Sequence, residues 1–389
     1  MSSQDQEFPV IRMVDSLLAT AITRTASDIH FEPMASYLRI RLRIDGVLYD
    51  HEPVNQQVMQ QLLARLKVLA NINITEKRIP QDGKFRLLSD GREIDLRVST
   101  FPTLYGEKIV VRILDRTEHT KALDKLGFNS IIEQKVQELI DKANGFFLVS
   151  GPTGSGKTTT LYAALSHLNN SEKNIITLED PVEYFIEGIT QGQIHPDAGF
   201  TFERGIRALL RQDPNIVMIG EIRDKQTAGI AIEAALTGHI VLSTVHTNNA
   251  PGVVMRLMDM GIEPFLINAA LSGVLAQRLA RKICTDCKVE RAVTDQESAL
   301  LKKYGMQLQK TYNGTGCHHC LGLGHKGRIG IFELLVMSDK LRSLIVKNPS
   351  FNDIHKQAQH DGMQTLLVDG FDKVQQGIIS LYELFRVIA

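Results

Sequence analysis

A chain of 389 residues exceeds what one hydrophobic core organises, so two or three domains are expected, and 43% hydrophobic residues exclude a disordered chain, a collagen or a coiled coil. Lys plus Arg and Asp plus Glu both number 44, giving zero formal net charge, so bulk attraction to nucleic acid or an anionic membrane is not expected and any basic surface must be local. No apolar run approaches the ~18–20 residues that span a bilayer, and the opening Met1-Ser2-Ser3-Gln4 lacks both parts of a signal peptide, which predicts a soluble, intracellular protein.

From Val10 to Thr25 the apolar residues Ile11, Val14, Leu17, Leu18, Ala21 and Ile22 recur at helical spacing, predicting an amphipathic helix. Tyr37 to Ile44 then alternates apolar and basic residues, the period of a half-buried strand, and Asp45-Gly46 turns the chain. A second hairpin is predicted from Lys84–Leu88 and Glu93–Val98 around Ser89-Asp90-Gly91, and a further strand from Lys108 to Leu114. Residues 1–115 therefore read as a small antiparallel α+β domain, and the polar, aperiodic stretch 116–122 as a linker. Beyond it, a helix (Ile131–Lys142) leads to an apolar strand (Phe146–Val149), a glycine-rich loop and a helix from Lys157. Strands Ile175–Leu178, Ile216–Ile219 and Ile240–Ser243, with a helix over Lys225–Leu236, continue an alternation that predicts a parallel sheet with helices on both faces. From Glu290 onward the pattern reads as helical, apart from a glycine-rich stretch around the last two cysteines.

Gly151-Pro152-Thr153-Gly154-Ser155-Gly156-Lys157-Thr158 satisfies the phosphate-loop pattern in its required setting, an apolar strand before and a helix after. The glycines let backbone N–H groups converge on phosphate oxygens, Lys157 supplies a point charge, and the Thr158 hydroxyl can ligate Mg²⁺; Thr159 follows in the same first turn. These residues predict a nucleoside triphosphate site. Hydrolysis also needs acids at the carboxyl ends of neighbouring strands. Glu221, two residues beyond Ile219 with Gly220 between, is one such acid, and the cluster Glu179, Asp180 and Glu183 is the other; helix caps or surface carboxylates are the competing reading of both. His246, beyond the strand that starts at Ile240, is a candidate sensor of the γ-phosphate.

All four cysteines lie in two C-x-x-C knuckles, Cys284/Cys287 and Cys317/Cys320, which predicts one tetrahedral structural Zn²⁺. His318 and His319 are alternative ligands, but four thiolates already close the shell. A nucleic-acid-binding zinc ribbon is the sharper alternative, for which Lys282, Lys288, His325, Lys326 and Arg328 supply basic surface without interleaved aromatics.

Together with the phosphate loop, Thr177–Glu183, Leu210–Pro214, Ile219–Asp224 and Thr237–Asn248 resemble the secretion ATPase superfamily, and within it the GspE/PilB family of type II secretion and type IV pilus assembly ATPases. Ala26–Pro33, Arg97–Thr103, the cysteine knuckles and Gly362–Leu366 fit as well, so the resemblance runs nearly end to end. It implies a cytoplasmic homo-hexamer, peripheral to the inner membrane, that binds ATP and Mg²⁺. A PAS-like N-terminal domain would precede a RecA-like domain over 123–389, with a zinc-binding subdomain over 284–320 and a helical segment over 336–389. Glu179, Asp180 and Glu183 match the family's acidic box, Glu221 its second nucleotide motif and His246 its histidine box. Arg97 and Arg112 match first-domain arginines that reach the nucleotide phosphates when the domains close, and Arg207 and Arg211 match arginines near the subunit interface. The implied partners are inner-membrane platform proteins resembling GspL and GspF, and no nucleic acid.

Two departures accompany the resemblance. Members usually carry a further N-terminal domain that docks on the membrane platform, whereas this chain opens on the PAS-like domain, so either a leading domain is missing or partners are recruited otherwise. Asn215 stands where the family usually has Asp, a change expected to be harmless. Pilus retraction ATPases lack the knuckles, which argues against retraction. The expected function is ATP-driven pseudopilus assembly for type II secretion, with type IV pilus extension or DNA-uptake pilus assembly as the alternative. A nucleotide-regulated scaffold and a zinc-dependent DNA translocase are rivals of other classes. Between Glu183 and Glu221 as the base that activates water, the reading leans to Glu221.

Overall fold

The computed structural model describes residues 3–115 and 121–388. The chain divides into two compact units, residues 1–119 and 120–389. Most of the expected linker, residues 116–120, lies outside the described residues.

The first unit runs α1 (Ser3–Thr23), β1 (Ala26–Pro33), β2 (Tyr37–Ile44), β3 (Val47–Asn55), α2 (Gln56–Leu69), β4 (Gln81–Ser89), β5 (Arg92–Thr103) and β6 (Gly106–Asp115). Its strands form one antiparallel sheet in the order β3-β2-β1-β6-β5-β4. Alternation in β2 buries Leu38, Ile40, Leu42 and Ile44 and turns Arg39, Arg41 and Arg43 to the other face. The β2–β3 turn is Asp45-Gly46, with φ of +49° and +85°, the two left-handed positions that a two-residue hairpin requires. Both helices pack on the sheet. The sequence reading had no helix at α2, because its Gln-rich surface blurs the periodicity; Asn55 caps it by accepting from the Val58 N–H. Its buried Lys67 ammonium meets both carboxylate oxygens of Glu107, at 2.8 and 2.9 Å, and so ties α2 to β6.

The second unit begins α3 (Ser130–Ile140), β7 (Gly145–Ser150), α4 (Lys157–Leu168), β8 (Ile175–Glu179), β9 (Thr190–Gln193), α5 (Phe202–Leu209), β10 (Ile216–Ile219), α6 (Lys225–Leu236), β11 (Ile240–Val245), α7 (Pro251–Asp259), α8 (Pro264–Ala270) and β12 (Leu271–Ile283). It continues β13 (Lys288–Ala292), α9 (Asp295–Lys303), β14 (Lys310–Gly314), β15 (His325–Val336), α10 (Asp339–Ile345), α11 (Phe351–His360), α12 (Leu366–Gln375) and α13 (Leu381–Ile388). Seven strands form a sheet in the order β15-β12-β7-β11-β10-β8-β9, parallel throughout except for β15, which runs antiparallel to β12.

Alternate residues of each central strand enter different cores. Phe147, Val149, Ile216, Met218, Ile240 and Leu242 pack with α3 and α4. Phe146, Leu148, Val217, Ile219, Val241 and Val245 pack with α5, α6, α7 and α8. The sheet is thus covered on both faces, which is why its strands read as continuous apolar runs.

The expectation that the pattern beyond Glu290 is helical, apart from the glycine-rich stretch around the last two cysteines, is corrected here. β13 pairs with β14 as a small ribbon, and β15 is a long strand of the main sheet. Ile331 to Leu335 are buried without a break, Glu333 among them, so this short segment shows no period of two to separate strand from helix. The same continuity hid β12, whose first seven residues are all buried.

Candidate functional site

β7 ends at Ser150, and the chain passes through Gly151, Gly154 and Gly156, at φ of +149°, +78° and +87°, before α4 opens at Lys157. Glycine reaches these angles without strain, so the loop can bend tightly into a helix N-terminus, where free N–H groups favour an anion. Lys157 donates from Nζ to the carbonyls of Gly151, at 2.8 Å, and Pro152, at 3.1 Å. Burial pulls its pKa down to about 8, with Glu221 opposing the shift and Arg278 adding to it. Thr158 and Thr159 are half-buried in the first turn, while Pro152, Thr153 and Gly154 are exposed.

Two β12 residues that sequence reasoning missed hold this region, and neighbours on a strand point to opposite faces. Gln277 is buried; its amide donates to the Ser155 carbonyl at 2.7 Å and accepts from the Thr160 hydroxyl at 2.8 Å. Arg278 donates to the Asn248 carbonyl at 2.9 Å, bracing the turn after His246. No motif marks either residue; only the placement of β12 beside β7 brings them in.

The parallel register sets the acids at one edge of the sheet. Ile219 is level with Leu178 on β8 and Ser243 on β11, and Val245 is level with Ser150 at the mouth of the phosphate loop. Gly220 donates its N–H to the Leu178 carbonyl at 2.8 Å, and its own carbonyl accepts from the Thr244 hydroxyl at 2.8 Å. These bonds fix the base of Glu221, whose carboxylate reaches Arg223 with one oxygen and His246 Nε2, at 3.5 Å, with the other. Burial lowers the His246 pKa, and the Lys157 and Arg223 charges lower it further against the pull of Glu221. A neutral imidazole beside a carboxylate can donate one hydrogen bond and read a neighbouring charge. Lys157, Glu221 and His246 therefore converge. Asn215, at the entrance to β10, accepts from the Asn174 N–H at 2.7 Å and closes the strand start without a carboxylate.

Within the acidic cluster the structure separates the residues. Glu179 is 3% exposed: its carboxylate accepts from the Tyr162 hydroxyl and, at 2.6 Å, from the Thr177 hydroxyl, and burial raises its pKa against those donors. It lies beneath the site. Asp180 and Glu183 are exposed, and the Asp180 charge acts on Arg223.

Arg207 and Arg211 are exposed on and just after α5; Arg207 faces Glu203 at 3.6 Å, and Arg211 donates to the Arg207 carbonyl at 2.7 Å. Arg97 and Arg112 belong to the first unit, on the face opposite its core. Arg112 is paired with the buried Asp28 at 3.0 Å, which Arg43 also approaches at 3.5 Å.

Cys284, Cys287, Cys317 and Cys320 bring their sulfurs within 4.8 Å of one another. Neighbouring sulfurs are 3.7 to 3.8 Å apart, far beyond a disulfide of about 2.05 Å. They match the edge of about 3.8 Å that a tetrahedron with Zn–S bonds of about 2.3 Å must have. Cys317 and Gly324 donate backbone N–H groups to the Cys320 sulfur at 3.2 Å, the bonding a thiolate ligand uses. The residues fit a zinc ion. His318 and His319 are exposed and their rings lie against each other, tilted by 39°, outside this cluster.

A strand, a glycine-rich turn and a helix-opening lysine, faced by a carboxylate–histidine pair on neighbouring parallel strands, define a phosphate-binding α/β protein. The family model "Type II/IV secretion system protein" matches residues 3–386, and the chain belongs to this family. The Type II secretion system ATPase E of Vibrio cholerae serotype O1 is 46% identical over 395 residues, which cover 100% of this chain and 76% of that protein. The Type IV pilus assembly ATPase PilB of Myxococcus xanthus is 44% identical over 390 residues, 99% of this chain and 69% of that one. Among solved structures, the pilus retraction motor PilT with bound ADP superposes with a TM-score of 0.62 at 26% identity, covering 95% of each chain. The Legionella pneumophila ATPase DotB superposes with a TM-score of 0.69 over 96% of this chain and 94% of that one; at 22% identity it shares the fold. No described helix is long and apolar enough to cross a membrane.

Proposed function

We propose that this chain is the secretion ATPase of a type II secretion system, hydrolysing ATP in its second unit to drive assembly of pseudopilus subunits. The observation that carries the reading is the convergence of Lys157, Glu221 and His246 at the carboxyl edge of the sheet. Gly151 to Thr159 cradle the triphosphate, Lys157 neutralises its outer phosphates, and Thr158 with Glu221 and Asp180 would hold Mg²⁺, directly or through water. Glu221 or Glu183 orients the attacking water, and His246 reads whether the terminal phosphate is present. The basic row of the first unit, Arg97 and Arg112 above all, is the surface that meets phosphate during the cycle, and Arg207 and Arg211 serve a subunit boundary. Cys284, Cys287, Cys317 and Cys320 would hold one structural Zn²⁺.

In the terms of the resemblance, the first unit is PAS-like and the second RecA-like, six copies form a ring, and the ring works in the cytoplasm against platform proteins like GspL and GspF. Relatives named for both systems support the reading at family level, and the PilB relative at 44% identity keeps type IV pilus extension as the second reading. Phosphate release by the full chain tests it: Lys157→Ala is expected to abolish turnover, and near-normal activity in that variant would remove the mechanism.

A further inference from the structure

Tyr162 lies on α4, the helix that opens at Lys157, and is fully buried, at 0% exposure. A phenol at that depth must satisfy its hydroxyl within the protein. It does so in two directions: the hydroxyl donates to Glu179 Oε2, and it accepts the backbone N–H of Glu183 at 3.3 Å. Its ring meets Tyr184 edge-on, centroids 4.6 Å apart at 80°. Gln191 completes the frame, donating to the Tyr184 carbonyl at 3.1 Å and accepting from the Ile186 N–H at 2.8 Å. The turn carrying the exposed acid Glu183 is therefore fastened at its middle to the helix that carries the phosphate lysine.

We infer that Tyr162 is a positioning residue for Glu183, fixing the acid-bearing turn against the phosphate-loop helix through its hydroxyl; the inference rests on the reading of this site as an ATPase. The ring packs the core as a phenylalanine would. The hydroxyl adds the bond that holds Glu183 itself, accepting the Glu183 N–H while it donates to Glu179, and the Gln191 amide approaches it at 3.5 Å. Without it, the Glu183 N–H loses its bond to α4, and the carboxylate of the same residue loses that reference to Lys157. A misplacement of about 1 Å at a reacting group can cost about 100-fold in rate.

The experiment uses the full chain with Tyr162→Phe, Glu183→Gln, the double variant, and Thr177→Val as control. Steady-state phosphate release gives kcat and KM, a fluorescent ATP analogue gives Kd, and thermal melting reports stability. Thr177→Val removes the other hydroxyl donor to Glu179 without touching Glu183. Tyr162→Phe is expected to lower kcat by about 10- to 100-fold with Kd changed less than about threefold, while Thr177→Val keeps kcat. Added to Glu183→Gln, the tyrosine change should cost no more than about twofold further, since both remove one function. An unchanged kcat in Tyr162→Phe, a loss that multiplies in full with that of Glu183→Gln, or an equal loss in Thr177→Val would overturn the inference. Wild-type chain that releases no phosphate would overturn the ATPase reading as well, which separates the two failures.

Discussion

Arg97 on β5 and Arg112 on β6 stand directly opposite one another in antiparallel register. The same row continues to Lys84 on β4, to Asp28 on β1 and to Arg43 on β2, so four cations and one acid cross the sheet side by side. Like charges directly opposite in a sheet are destabilising, by up to about 1 kcal/mol per pair. A row with more cations than acids is suited to an anion with several charges, as a triphosphate is.

The row leads to a test of activity. Arg97→Gln is expected to lower ATP turnover at least about tenfold, and Arg112→Ala to do likewise. Unchanged turnover in both would remove these arginines from the phosphate-binding reading.

Glu221→Gln should preserve nucleotide affinity and reduce turnover by at least about 100-fold, because the amide keeps the shape but accepts no proton and holds Mg²⁺ weakly. Single-turnover phosphate release separates this from a binding defect. If Glu183→Gln is inactive while Glu221→Gln turns over normally, the base is Glu183.

Nucleotide affinity should weaken as pH rises above about 8. In the free protein burial holds the Lys157 pKa near 8, below its ordinary 10.5, so above that pH the lysine is increasingly neutral. Bound phosphate restores the proton, and Kd should then rise by up to about tenfold per pH unit until the pKa of the bound form is reached. Calorimetry in buffers of different ionisation enthalpy at pH about 8.5 should detect proton uptake on binding. Uptake that persists in Lys157→Ala would assign the proton elsewhere.

The cysteine cluster should carry about one zinc per chain by elemental analysis, with Cys287→Ser reducing this toward zero. Hydrogen exchange should then accelerate in the β13–β14 ribbon, since metal binding is the main cohesive element of so small a module. Full zinc content in that variant would rule out the four-thiolate set.

Far from the site, Glu383 on α13 is buried and accepts from Arg281 on β12 at 2.8 Å and from Arg386. Burial opposes its charge, but Arg386 and Arg281 overcome this and hold its pKa at about 2, below the ordinary 4.5. This contribution is complete above pH about 4.5 and is lost as pH falls toward 2. Glu383→Gln removes the charge that the buried Arg281 and Arg386 meet and is expected to cost about 3 kcal/mol at pH 7. The difference from wild type should shrink in acid, as denaturant melts at pH 7 and 3.5 can show.

Elements whose signal is local were legible along the chain. Strict alternation marked β2, a glycine pattern between strand and helix marked the phosphate loop, and paired knuckles marked the cysteine cluster. The chain also supplied Glu221 and His246, since a polar residue just past an apolar strand stands at the sheet edge wherever that strand is placed. What depends on neighbours distant in the chain became visible once folding had placed them. The first half of β12 and the second half of β15 are buried on both faces, and full burial erases the periodicity by which a strand is recognised. Glu179 reads as one acid among three until Tyr162 and Thr177 close around it, and Gln277 and Arg278 acquire their roles because β12 lies beside β7. Hydrogen bonds act over about 3 Å, and no spacing along a chain records which distant residues will come that close.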